Sequence, residues 1–318
     1  MTADEFLKPD RRWEIWKCYT HQEYLDRFFI PGKFHKDVPE TIKEAYSTVE
    51  RLISYSYFYY PLTEEVHSKM TRILEMAIRL RTEQMGITFT KKHTSLNQHI
   101  ESLRGRAEVD GILVETLLRA KELRNAFAHP KGHMYSGPIG YTNVISLINL
   151  INRLFMAGDS FNILTESIKP LKEQIGSLGV GVMVYETISS RYLISAIHPL
   201  LTNRDKDKTL LMLDPILQSF PQSMEDFKSV KPFFVKLGNL KVTDTYLEGF
   251  DLFSGLPIKV CISLNTADQF ALEKFQKEYN SSDPVVRGFY DADRDEIVYA
   301  HLDKFIYDEF WSESLPTS

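Results

Sequence analysis

Apolar residues recur at helical spacing through the first half of the chain. Pro39-Glu40-Thr41 opens a helical run that continues to about Tyr57, with a proline and an acid where a helix start favours them. Leu62-Thr63-Glu64-Glu65 begins the next helix, with Thr63 as the expected N-cap. Val66, Met70, Ile73 and Ala77 form its buried stripe, and Gly86 suits its end. A short helix is predicted from Thr94-Ser95-Leu96, a long amphipathic one from about Asp110 to His129, and an apolar one from Val144 to Phe155 that packs back across the bundle. Near the N-terminus, Trp13 and Trp16 lie one helical turn apart and are expected to anchor a helix on the core rather than stack on bases.

The pattern changes after Ile175. Gly176, Gly179 and Gly181 read as a linker or turn, and short β-rich segments follow: Val182–Glu186, Tyr192–His198, Thr209–Leu213, Phe233–Val235, Ile258–Ser263 and Ile297–His301. Ala267–Tyr279 is predicted as a helix with Leu272 and Phe275 on one face. Asn203–Lys208 reads as an exposed turn. Asp291–Glu296 begins like a calcium loop but lacks the glycine and the closing acid, so a hairpin turn is expected there. The prediction is an α+β protein: an all-helical domain over 1–175, an α+β domain with a mainly antiparallel sheet over 176–311, and a tail, 312–318.

Composition narrows the class. At 318 residues, 43% hydrophobic and 25% charged, the chain resembles an ordinary globular protein long enough for two domains. No apolar stretch approaches the length of a membrane span, and the acidic start, Met1–Glu5, lacks the features of a signal peptide. Cys18 and Cys261 are far apart and read as reduced core thiols, so a cytoplasmic protein is expected. Up to Ile175 there are 24 Lys and Arg against 22 Asp and Glu; beyond it, 14 against 21. Neither half carries the large basic excess of a nonspecific binder of long nucleic acid, although a local basic site fits the first.

Candidate chemistry concentrates at Leu123–Pro130. On a helical wheel Leu117, Ala120 and Phe127 fall within about 40° of Leu113 on either side, and Arg124 falls among them. A guanidinium in an apolar stripe keeps its charge and needs an anion, a partner or water; the acids within reach include Glu75 and Glu122. His129, five positions on and just before Pro130, is placed at the helix C-terminus, where the dipole favours its protonated form. Arg72, Glu75 and Arg79 share another face at i, i+3 and i+7: a solvated ion-pair ladder, or a phosphate-binding face beside Arg124. The basic cluster Lys91-Lys92-His93 and the loop residue His133 are weaker candidates for RNA contact. No zinc motif, phosphate-cradling glycine loop or serine elbow occurs, so neither a metal nor a cofactor is expected.

Arginine, a polar residue, three further residues and histidine, closing a helix in an all-helical region, resemble the motif of HEPN domains (higher eukaryotes and prokaryotes nucleotide-binding). The resemblance covers roughly the first half of the chain. It implies a metal-independent endoribonuclease acting as a homodimer through its helical domains, with Arg124, Asn125 and His129 catalytic and Arg72, Arg79 and His133 assisting substrate binding. It also implies a toxin or antiviral-defence role, in which the second domain senses a trigger, restrains the nuclease or binds a protein or small-molecule regulator. Some members of the superfamily are inactive scaffolds or nucleotide-binding modules, which is the alternative expectation.

Overall fold

In a computed structural model, the chain is α+β and divides into two compact units: residues 1–161 together with 306–318, and residues 162–305. The structure describes residues 7–90, 94–109, 111–128, 137–156, 168–176, 178, 182–186, 191–203, 207–225 and 232–311, without the side chains of 123, 126–128, 138 and 139. The predicted linker residues Gly179 and Gly181, the cluster 91–93 and the tail 312–318 lie outside these.

The first unit is helical: α1 (His21–Phe28), α2 (Glu40–Tyr55), α3 (Leu62–Gln84), α4 (Leu96–Ser102), α5 (Gly111–Ala128) and α6 (Tyr141–Phe155). The centre is α3, which packs against α2, α4, α5 and α6. It therefore buries more than one stripe: Val66, Met70, Ile73 and Ala77, and also Leu74 and Ile78. Thr63 is not its N-cap. The helix begins at Leu62 behind Pro61, whose ring fixes φ at a helical value, and Thr63 is buried inside the first turn. The predicted end holds: Gly86 takes a φ of +66°, and the Ile87 N–H turns back to the Thr82 carbonyl. A 3₁₀ turn, Arg11–Trp16, precedes α1 and buries Trp13 completely.

His67 is buried in α3, and burial lowers its imidazole to a pKa of about 4. An unfolded imidazole titrates near 6.5, so as pH falls the unfolded chain takes up a proton that the folded one refuses. Stability is expected to decline between about pH 6.5 and about pH 4, by at most about 3 kcal/mol from this group. Urea unfolding at several pH values, with His67→Leu as comparison, checks this; an equal decline in the variant would assign it elsewhere.

The helical unit also needs the end of the chain. Trp311 is buried and donates from Nε1 to Asn149 Oδ1 at 2.7 Å, Tyr307 donates to the Pro31 carbonyl at 2.5 Å, and Lys33 meets Asp308 at 3.2 Å. A cut after Ile175 removes all three contacts, so residues 1–175 are not a closed folding unit. Trp311→Ala is expected to cost about 3–5 kcal/mol in urea unfolding, because it opens a cavity and removes the hydrogen bond to Asn149 Oδ1.

In the second unit α7 (Ile168–Gly176) precedes six strands: β1 (Met183–Glu186), β2 (Arg191–Asn203), β3 (Lys208–Pro215), β4 (Phe233–Val242), β5 (Tyr246–Asp251) and β6 (Pro257–Ile262). All neighbours pair antiparallel, and β1 pairs with both β2 and β6, closing a barrel. Closure leaves no free sheet edge. Ile194, Leu211, Leu213, Val235, Leu237, Leu247 and Val260 fill its core. Leu171 and Ile175 of α7 pack on that core. The helix just before the compositional change thus belongs with the barrel, and the compact units divide earlier than 175.

Two helices follow, α8 (Thr266–Ser281) and α9 (Pro284–Glu309). The predicted hairpin at Asp291–Glu296 and strand at Ile297–His301 are both wrong: these residues lie within α9. Ile297-Val298-Tyr299 has the β-branched and aromatic composition of a strand, but the spacing of Val286 and Tyr290 is helical. Both bury against Phe220, together with Phe275 and Tyr279 of α8. Strand β5 was not among the predicted segments; two of its six residues are glycine and aspartate, which weaken the signal.

Candidate active site

The centre of the bundle positions the candidate residues. Helix α3 presents Arg72, Glu75 and Arg79 one turn apart, and α5 carries Arg124 and Asn125 near its end. The wheel position of Arg124 is explained by its neighbours: Leu113, Leu117 and Ala120 are buried, while Arg124 reaches across to α3. Its Nη2 donates to Glu75 Oε2 at 3.1 Å and its Nη1 to Asn125 Oδ1 at 3.3 Å. Glu75 Oε1 accepts from Arg79 Nη2 at 2.9 Å.

One carboxylate is therefore held between two guanidinium groups. Burial raises the Glu75 carboxyl, but the hydrogen bond and charge of Arg79 and the charge of Arg124 outweigh it and hold the group below its ordinary value. Two cations on one anion leave a surplus positive charge. The Arg124 side chain is 33% exposed, so that surplus can be met by a ligand or solvent. Its two contacts use two N–H donors of the five a guanidinium offers. Glu122, the other candidate partner, pairs with Lys121 instead.

His99 of α4 belongs to the same network, and no feature of the sequence had pointed to it. Its helix is started by a capping box between Ser95 and Gln98, which fixes the ring against α3. The Thr82 hydroxyl donates to the Arg79 carbonyl at 2.8 Å, so at 2.9 Å it accepts from His99 Nδ1–H. Nε2 is then the free lone pair, accepting from Thr94 Oγ1 at 2.7 Å and from Arg79 Nη1 at 3.3 Å. Burial, with the Arg79 charge, lowers the His99 pKa and keeps the ring neutral. A neutral imidazole thus holds Arg79, Arg79 holds Glu75, and Glu75 holds Arg124.

Arg72 is exposed and makes no ion pair among the described residues. His129 directly follows the last residue of α5 in sequence; it and His133 lie outside the described residues. Among the described residues no group of three or more His, Cys, Asp or Glu is arranged to hold a metal ion, and no helix is long and apolar enough to cross a membrane.

Comparison with models of known protein families, with curated proteins and with solved structures finds no match to this chain.

Proposed function

We propose that this chain is a metal-independent endoribonuclease of the HEPN type, acting on RNA as a homodimer through its helical unit. The observation that carries the proposal is Arg124. It is steadied by Glu75, bonded to Asn125, partly exposed and left with donors for a phosphate. RNA supplies its own nucleophile, the ribose 2′-OH. His129 serves as acid or base near neutral pH, and Arg124 stabilises the charge that develops on the phosphate. Asn125 orients the histidine or donates to the phosphate. Arg72 is available to the RNA backbone, whereas Arg79 is committed to Glu75 and His99. A dimer brings two Arg–His pairs together, enough groups for deprotonation, charge stabilisation and leaving-group protonation. In this proposal the protein is a cytoplasmic toxin or antiviral-defence effector, and the barrel unit holds its regulator.

A second reading is favoured by the Glu75 ion pair: a non-catalytic dimeric HEPN-like module in which Arg124 and His129 bind a nucleotide or hold the dimer. Incubation with mixed RNA in EDTA separates the two. Cleavage is expected without metal, with DNA left intact, and with 2′,3′-cyclic phosphate and 5′-hydroxyl ends. Loss of cleavage on chelation, or equal cutting of DNA, would overturn the mechanism. A dimer that binds nucleotide and cuts no RNA would support the second reading.

A further inference from the structure

We infer that the barrel unit carries a binding pocket for a small organic anion with an apolar body. A cavity of about 500 Å³ opens between α7, strands β1 to β3 and α9. That volume lies in the range of small-molecule sites. Its apolar wall is formed by Met183, Ile197, Leu200, Met212 and Val298.

The polar side of the cavity is built on Asp214, which is buried. A single oxygen of that carboxylate, Oδ2, meets His198 Nε2 at 2.9 Å and Arg294 Nη1 at 3.5 Å. His198 and Arg294 both line the cavity, and Asp214 fixes them there. Irregularities of register flank His198 in β2, between Ile194 and Ala196 and between Pro199 and Leu201. Such bulges redirect side chains locally.

Arg294 lines the cavity with a side chain that is 32% exposed. Its Nη1 lies 3.5 Å from Asp214 Oδ2 and its Nη2 3.8 Å from Asp295 Oδ1, at the long end of ion-pair distances, so guanidinium donors remain for a carboxylate, phosphate or sulfonate oxygen. Lys172, which makes no ion pair among the described residues, adds a second cation to the lining. Asp214 and Asp295 both draw on Arg294, so Lys172 and the exposed part of Arg294 are left to meet an anionic head, with the apolar wall taking the rest of the ligand.

The test uses the full chain and 1-anilinonaphthalene-8-sulfonate, with uncharged N-phenyl-1-naphthylamine as its neutral counterpart. The sulfonate dye is expected to bind one saturable site and to be displaced by octanoate or by AMP, whichever carries the preferred head group. Arg294→Met should weaken the sulfonate dye about tenfold or more and leave the neutral dye unchanged. Leu200→Trp should fill the cavity and abolish both. Displacement by neither competitor, or unaltered dye binding in folded Leu200→Trp, would overturn the assignment and place the dye on exposed apolar sites such as Phe253. Should Arg294→Met fail to fold, Leu200→Trp decides alone, because Leu200 is only partly buried. The readout is binding, so it stands apart from RNA cleavage.

Discussion

Arg124→Leu is expected to lower RNA cleavage by about 10²–10³-fold or more while the protein stays folded. The loss follows from removing the guanidinium that would neutralise the phosphate in the transition state. Retention of the fold follows from the ion-pair geometry. A buried carboxylate stranded by loss of its partner costs about 3–5 kcal/mol, but Glu75 is not stranded. Arg79 still donates to its other oxygen at 2.9 Å, and His99 still holds Arg79. The stability change on removing Arg124 alone should therefore stay within about 1 kcal/mol, as for other partly exposed pairs. Removing Arg79 and Arg124 together does strand Glu75, and the double variant should lose more than the two single variants combined. Cleavage assays beside urea unfolding measure both effects. His129→Ala is the companion: loss of cleavage with an intact dimer joins it to Arg124 in the chemistry. Wild-type rates in either variant, or an unfolded Arg124→Leu, would return the pair to a structural role.

Trp13→Ala should be among the most destabilising single changes in the helical unit, costing about 3–5 kcal/mol. The indole is wholly buried, with Tyr24, Tyr60 and Phe28 ring centroids at 4.5, 4.9 and 5.5 Å. Its Nε1–H donates to the Ser56 carbonyl at 2.8 Å, so truncation opens a cavity and leaves that buried carbonyl without its donor. Trp13→Phe should retain most of the packing and lose chiefly the hydrogen bond. Denaturant midpoints of the three proteins give the order. A variant that melts like the wild type but binds RNA more weakly would make Trp13 a base-stacking residue instead.

What the sequence determined by itself was local. The helix at α3 was legible because Val66, Met70, Ile73 and Ala77 recur at the period of the backbone helix, and Gly86 marks its stop through a conformation that other residues resist. Arg124 and Asn125 were legible as a short motif on an amphipathic helix, with Arg79 and Arg72 as cations on another. Tertiary structure decided what depends on partners distant in the chain. It selected Glu75 over Glu122 for Arg124, added His99 through Thr82 and Arg79, and closed the barrel by pairing β1 with β6. It also made Ile297–His301 helical, since burial of Val286 and Tyr290 beside Phe220 outweighs the strand preference of a five-residue segment. Periodicity is set by the geometry of a single element and can be read in order along the chain. Ion pairs and strand closure depend on distances that exist only once separate elements have packed, and neither residue type nor spacing encodes those distances locally.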